Sequence, residues 1–224
     1  MTNKVARWVP LTGIVYVGAM LGVLLGPSSP DTTASGNTVI AWYEKHHTAV
    51  SVQTFLLAYA AVLGVMFFGS LCSYLRQRGA GQLTTVMFGG AVIQAVALGV
   101  GAGTSLALND HTSRLTEGSA QTLNLINSDG FAILLFSGLS LTMLTAGIAI
   151  LHTRALPVWL GWVTVVIGIG ALTGVGSWFA FMATGLWILG VATVLIVQAH
   201  KSPQISLPDA RTSTEKPAKA TTRS

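Results

Sequence analysis

Polar side chains able to do chemistry gather at three places: His46 and His47 heading one apolar run, Asp110 and His111 closing the next, and Asn124, Asn127, Ser128 and Asp129 heading a third. If these three ends converge, they line a shallow mouth for a cation, a metal or a polar substrate. Gln53 follows His46 by seven residues, about two helical turns, and so shares a similar face. His46, His47, Gln53, Asp110, His111, Asn124, Asn127 and Asp129 are therefore the candidate ligand-binding residues. The pattern names no metal. Adjacent histidines on a helix point about 100° apart, and no histidine pair has the four-residue separation common in helical metal sites.

Each of these residues also has a structural role open to it. Asp129 precedes Gly130-Phe131 and a long apolar run, where a carboxylate caps free backbone donors and favours the positive end of a helix; Ser128 and Asn127 compete for that position. Gln94, near the middle of an apolar run, and Gln53 are suited to bonding across to another helix, a contribution of about 1 kcal/mol in lipid. Thr142 and Thr145 can bond back to their own helix. The lone cysteine, Cys72, excludes an internal disulfide framework.

Several activities are argued against. No ionisable residue sits near the middle of an apolar run, which counts against a carboxylate-driven pump or proton-coupled carrier. All five histidines lie at run ends or in breaks, whereas a haem-binding bundle needs them inside facing helices. Gly99-Val100-Gly101-Ala102-Gly103 lacks the dinucleotide-binding spacing, and neither a zinc-protease His-Glu pattern nor a nucleophile elbow is found. No catalytic residue and no cofactor are assigned, and an enzyme is the weaker expectation.

The elements that must position these residues follow from composition. Apolar residues make up 51% of the 224 and charged residues 8%, against roughly 25% charged in a soluble domain, and apolar runs of about 20 residues recur. The sequence predicts an all-α integral membrane bundle of six transmembrane helices over residues 1–200. The spans are about 8–26, 49–75, 83–108, 129–151, 157–173 and 179–199, followed by a disordered tail over 201–224 rich in Pro, Ser, Thr, Lys and Arg. The first span is too long for a secretory signal, whose apolar region is about 7–15 residues, and is read as retained. Gly18, Gly22 and Gly26, and the glycines at 89, 90, 99, 101 and 103, predict close helix contacts. Val39 to His47 predicts a short amphipathic helix in the interface, Asn109 to Ser128 a turn-rich break, and Gly174-Val175-Gly176-Ser177 a tight hairpin.

Lys4, Arg7, Arg76, Arg78, Arg154, Lys201, Arg211, Lys216, Lys219 and Arg223 fall on one side of these spans, leaving Lys45 and Arg114 on the other. The richer side is the cytoplasmic one, so both termini are predicted inside, in a multi-pass protein of the inner (plasma) membrane. Trp8, Tyr74, Trp159 and Trp162 then mark the inner interface, and Trp42, Tyr43, Trp178 and Phe179 the outer one. The net charge of +5 reads as a topology signal; no basic stripe interleaved with aromatics points to nucleic acid.

The chain resembles a broad group of uncharacterised bacterial integral membrane proteins of the actinobacterial type. The features that carry this are Ser73-Tyr74-Leu75-Arg76-Gln77-Arg78, Gly89-Gly90, Leu123-Asn124-Leu125-Ile126-Asn127 before Asp129, and Ala155-Leu156-Pro157-Val158-Trp159-Leu160-Gly161-Trp162. The resemblance implies the topology and no established activity. Three functions stay open: binding or passing a small ligand, cation or lipid at an outward-facing polar mouth; a non-catalytic subunit contacting a membrane partner or a second copy; and an enzyme with an outer-face metal site at Asp129 and a histidine. The bilayer is the one partner the composition itself requires.

Overall fold

A computed structural model describes the backbone of residues 3–201 and the side chains of 10–197. Every regular element there is helical: α1 (Asn3–Leu24), α2 (Gly36–Gln77), α3 (Leu83–Asp110), α4 (Glu117–Leu125), α5 (Phe131–Thr153), α6 (Val158–Gly170) and α7 (Gly174–Lys201). A 3-10 turn, Thr112–Arg114, links α3 to α4, and one π-helical turn, Ile126–Gly130, joins α4 to α5. The tail over 202–224 and the side chains of Lys4, Arg7, Trp8, His200 and Lys201 lie outside the described residues.

Four stretches are long and apolar enough to cross a membrane: Gly36–Gln77, Leu83–Asp110, Glu117–Thr153 and Gly174–Val197; Pro10–Leu24 and Val158–Gly170 are apolar but shorter. The outward surface agrees with a lipid environment. Val52, Phe55, Tyr59, Val62 and Met66, three or four residues apart on α2, are all more than half exposed, a contiguous apolar face that water would not tolerate. The protein is an all-α, multi-pass membrane protein in contact with a bilayer.

Several boundaries differ from the sequence reading. The segment Val39–His47 is indeed helical, but it is the start of α2, continuous with the span except at a kink where His46 takes non-helical torsions. In it Val39 and Tyr43 are buried against Val50, Leu108 and Ala120 in a small core of their own. The break before α5 is largely helix as well. Thr116 and Ser119 form a capping box that starts α4, and the helix then continues, so Asp129 is not an N-cap; the Phe131 N–H is already satisfied by the carbonyls of Ile126 and Ser128. Gly174–Ser177 is the first turn of α7, and the chain reverses at Ala171–Thr173.

α2 is bent at His46, so its 42 residues make a short first helix before the kink and a second, over 47–77, of about 47 Å, longer than the hydrocarbon is thick. Its first turns, the loop 25–35 and α4 together form a folded cap at one end of the bundle. By contrast α6, with 13 residues, reaches only about 20 Å.

α5 is the central helix. Its spanning stretch is 61% buried, against 33–39% for the other three. Glycines let its backbone touch those of α3 and α6. A Cβ at Gly138 would lie 2.8 Å from both the Gln94 nitrogen and the Gly90 carbonyl oxygen; one at Gly147 would meet the Val165 nitrogen at 2.9 Å; one at Gly168 would meet the Leu144 nitrogen at 2.8 Å. Beside these contacts the Gln94 amide donates to the Thr142 hydroxyl at 2.8 Å, as its position in the span foretold, and Ser140 donates to the Gly168 carbonyl at 2.8 Å. Thr142 and Thr145 bond back to Gly138 and Leu141. Cys72 is buried and unpaired.

Of the other predicted glycine contacts, Gly22 faces Leu56, Gly26 faces Gln53 and Gly101 faces Phe131, while Gly18, Gly89, Gly99 and Gly103 meet nothing within 4 Å. Gly138→Ala forces two backbones apart with no flexible side chain to yield. It is expected to cost about 1–3 kcal/mol, read as a fall in melting temperature in detergent, whereas Gly18→Ala, in open space inside a helix, does not lower the melt.

Candidate functional site

The cap is fastened to the bundle by side-chain amides. Gln53 on α2 donates to the Val23 carbonyl at 2.8 Å and to that of Pro27 at 3.4 Å, satisfying the open end of α1. Asn124 on α4, 1% exposed, donates to the Asp31 carbonyl at 3.2 Å and holds the loop from the other side. Within the loop, the Asp31 carboxylate accepts from the amide and hydroxyl of Thr33 at 2.8 and 2.6 Å, and these bonds hold its pKa below the ordinary value. Their contribution is therefore present above the ordinary carboxylate range and lost as pH falls through the lowered value. At Gly36 the α2 backbone presses directly on the Glu117 carbonyl of α4, leaving no room for a side chain.

Where cap meets bundle there is a cavity of about 140 Å³, bounded by Val23, Pro27, Ser29, Trp42, Tyr43 and Val50 with Gln53, Leu57, Gly101, Ser105, Asn127 and Phe131. No lining side chain is charged. Three of its polar members, Tyr43, Ser105 and Asn127, join one network with the neighbouring Thr104: Thr104 and Ser105 on α3 donate to the Asn127 side-chain oxygen at 2.9 and 3.1 Å, and the Asn127 amide donates to the Tyr43 hydroxyl at 3.4 Å. Asn127 stands in the π-helical turn. Such a turn inserts a residue and shifts the register of the side chains that follow; here it lies where one asparagine reaches α2 and α3 together.

The predicted site residues divide into groups. Gln53 and Asn127 line the cavity, and Asn124 fixes the loop that bears Ser29. His46 touches the cavity indirectly: its Nδ1–H donates to the Trp42 carbonyl at 2.9 Å and its ring rests on the Trp42 indole, 4.5 Å between centroids. That bond also accounts for the kink, a side chain competing with the helical ladder. His47 and Asp110 pair separately, 3.9 Å apart and about half exposed. They are linked through Ser51, which donates to the His47 carbonyl and accepts from Asn109, each at 2.9 Å. His111 caps the end of α3, and the exposed Asp129 side chain joins neither group.

Among the described residues no three His, Cys, Asp or Glu side chains stand close enough to share a metal ion. The single polar mouth of the sequence reading is thus two features, a neutral, partly open cavity and an exposed His47–Asp110 pair.

No protein family, curated protein or solved structure matches this chain.

The cavity also rests on residues outside the predicted site. Tyr43, read as an interface aromatic, is 1% exposed within the protein, and the predicted site did not include Ser29, Thr104, Ser105 or Phe131. The available signal was the spacing Val39, Tyr43, Val50, Leu57, which continues one buried helical face from the cap into the span. Asn127→Leu leaves the Tyr43, Thr104 and Ser105 hydroxyls without their common partner. It is expected to cost about 1–3 kcal/mol and to raise hydrogen exchange across 117–131, whereas Tyr43→Phe, which leaves Asn127 its bonds from Thr104 and Ser105, moves both less.

Proposed function

We propose that this protein crosses the inner (plasma) membrane six times with both ends in the cytoplasm, and that its outward cap binds a small, uncharged amphiphile. The orientation is supported by charge. Arg76, Arg78 and Arg154 lie at the end opposite the cap, and the basic-rich end is the cytoplasmic one. α1 and the short α6 complete the six crossings, the latter where the bilayer thins locally beside it.

The observation that carries the binding reading is the cavity lining. Tyr43, Gln53, Ser105 and Asn127 offer neutral donors and acceptors alongside Trp42, Phe131, Val50 and Leu57. Such a surface matches a molecule with one or two hydrogen-bonding groups on an apolar body. A cation would lose hydration there without a carboxylate in return. The volume, well below the roughly 300–1,000 Å³ of a drug-sized site, limits the occupant to about ten non-hydrogen atoms. The cavity is a binding place at the level where the cap meets lipid-facing helix, open to a molecule partitioning from either.

Melting the detergent-purified protein with indole, phenol, hexanol and benzamide tests this. Saturation by a fitting compound, at about 100 times its dissociation constant, adds about 2.7 kcal/mol, and Ser105→Leu, which fills the cavity, removes the shift. Equal shifts in wild type and Ser105→Leu, or none with any compound, would sink the reading.

Assembly is the second reading, favoured by the outward face of α3. Gly89, Gly99 and Gly103 are exposed there with nothing within 4 Å, a surface on which another helix can pack closely. It predicts a crosslinked dimer or hetero-complex in native membranes that Gly103→Leu abolishes; a monomer in both cases counts against it. A catalytic reading through Asp129 and a histidine has no comparable support, since Asp129 pairs with neither His46 nor His47.

A further inference from the structure

Charge is divided between the two ends of the described structure in a way topology alone does not require. All five described carboxylates, Asp31, Glu44, Asp110, Glu117 and Asp129, belong to the cap end. The opposite end carries Arg76, Arg78, Arg154 and His152 and, among the described residues, no acid. All three arginines are exposed, and two of them are held by contacts with the protein. Arg78 lies over the Tyr74 ring, 4.7 Å from its centroid. Its Nη1 donates to the Ala155 carbonyl at 3.5 Å, the same oxygen that the Tyr74 hydroxyl reaches at 3.1 Å. Arg78 is thereby held against the residue that follows Arg154. Arg76 is fixed as well, donating to the hydroxyls of Thr84 and Thr85 at 3.2 and 3.0 Å.

Arg154 adds a second, independent observation. It closes α5 in the left-handed conformation (φ 52°, ψ 28°) and is the one non-glycine residue with positive φ among those described. Glycine or asparagine ordinarily fills that position because a Cβ is crowded there. Arg154 thus holds a strained conformation one residue from the Ala155 carbonyl that Arg78 reaches, at an end without a carboxylate among the described residues. The flank of this end identifies the surroundings. Trp159 and Trp162, three residues apart on the first turns of α6, are 65% and 61% exposed, in the manner of indoles seated at the headgroup level.

We propose that Arg78 and Arg154, with Arg76 alongside, form a headgroup site for an anionic phospholipid. The guanidinium groups take the phosphodiester through charge-assisted bonds, and the acyl chains run down the lipid-facing surface of α6 beside Trp159 and Trp162. This site is separate from the cap cavity and does not rest on the reading given for it.

The test is the melting temperature of delipidated protein in detergent with added dioleoylphosphatidylglycerol, dioleoylphosphatidylcholine or inorganic phosphate, with native mass spectrometry counting bound lipid. Phosphatidylglycerol is expected to raise the melting temperature about 5 °C more than phosphatidylcholine does. Phosphate is expected to do nothing. Arg154→Gly, which relieves the strained position and so does not threaten folding, is expected to melt no lower than wild type without lipid, yet to lose at least half the difference between the two lipids. Adding Arg78→Gln removes the rest and the retained phosphatidylglycerol adduct. Equal stabilisation by the two lipids, a phosphate effect matching phosphatidylglycerol, or an undiminished difference in the double variant would each overturn the site.

Discussion

Backbone contact between α5 and its two neighbours is the constraint on which the rest of the structure depends. In lipid, an apolar side chain gains nothing by moving from hydrocarbon to protein, so helices associate through dispersion and short polar contacts. Gly138, Gly147 and Gly168 remove the side chains that would hold α5 off α3 and α6. Gln94 and Ser140 then bond across gaps too narrow for longer residues. With α5 fixed, the level at which its π-helical extension meets α3 is fixed too, and with it the position of Asn127.

The cap is built on different physics. Here Val39, Tyr43, Leu108 and Ala120 pack as a small core, and side-chain amides tie loops to helices: Gln53 to the end of α1, Asn124 to the loop above it. The cavity lies where the two regimes join. That location explains its mixed lining, since the residues beneath come from apolar spans and those above from a segment that must satisfy exposed backbone. Partly satisfied polar groups persist nearby. The side-chain oxygens of Asn109 and Asn124 are buried without a hydrogen-bond partner, so the polar contacts of the cap are not exhausted by its own residues.

The two ends of the molecule are chemically opposite. One gathers every described carboxylate and a neutral pocket; the other gathers arginines, one of them in a conformation that costs stability, and exposed indoles. A field of one sign concentrated at a membrane surface acts on whatever charged groups the bilayer presents, and the proposed headgroup site follows from that division of charge.

Helicity, membrane residence and the glutamine contact of α3 were legible in the residues because they follow from local quantities: run length, the scarcity of charge and the cost of a lone amide in hydrocarbon. Glycine faces were legible only in part. Gly90 and Gly138 touch backbone while Gly89, Gly99 and Gly103 face outward, and nothing in the spacing separates the two sets. The polar stretch Asn109–Ser128 read as a break because hydropathy measures crossing, whereas α4 is held by a capping box and by packing of Ala120 and Asn124. The sequence by itself determined an all-helical membrane chain and which residues avoid hydrocarbon. Tertiary structure alone decided which of those polar residues meet, because the meeting of Tyr43, Ser105 and Asn127 depends on the height at which three long helices cross and on one π-helical turn, neither of which has a local signature.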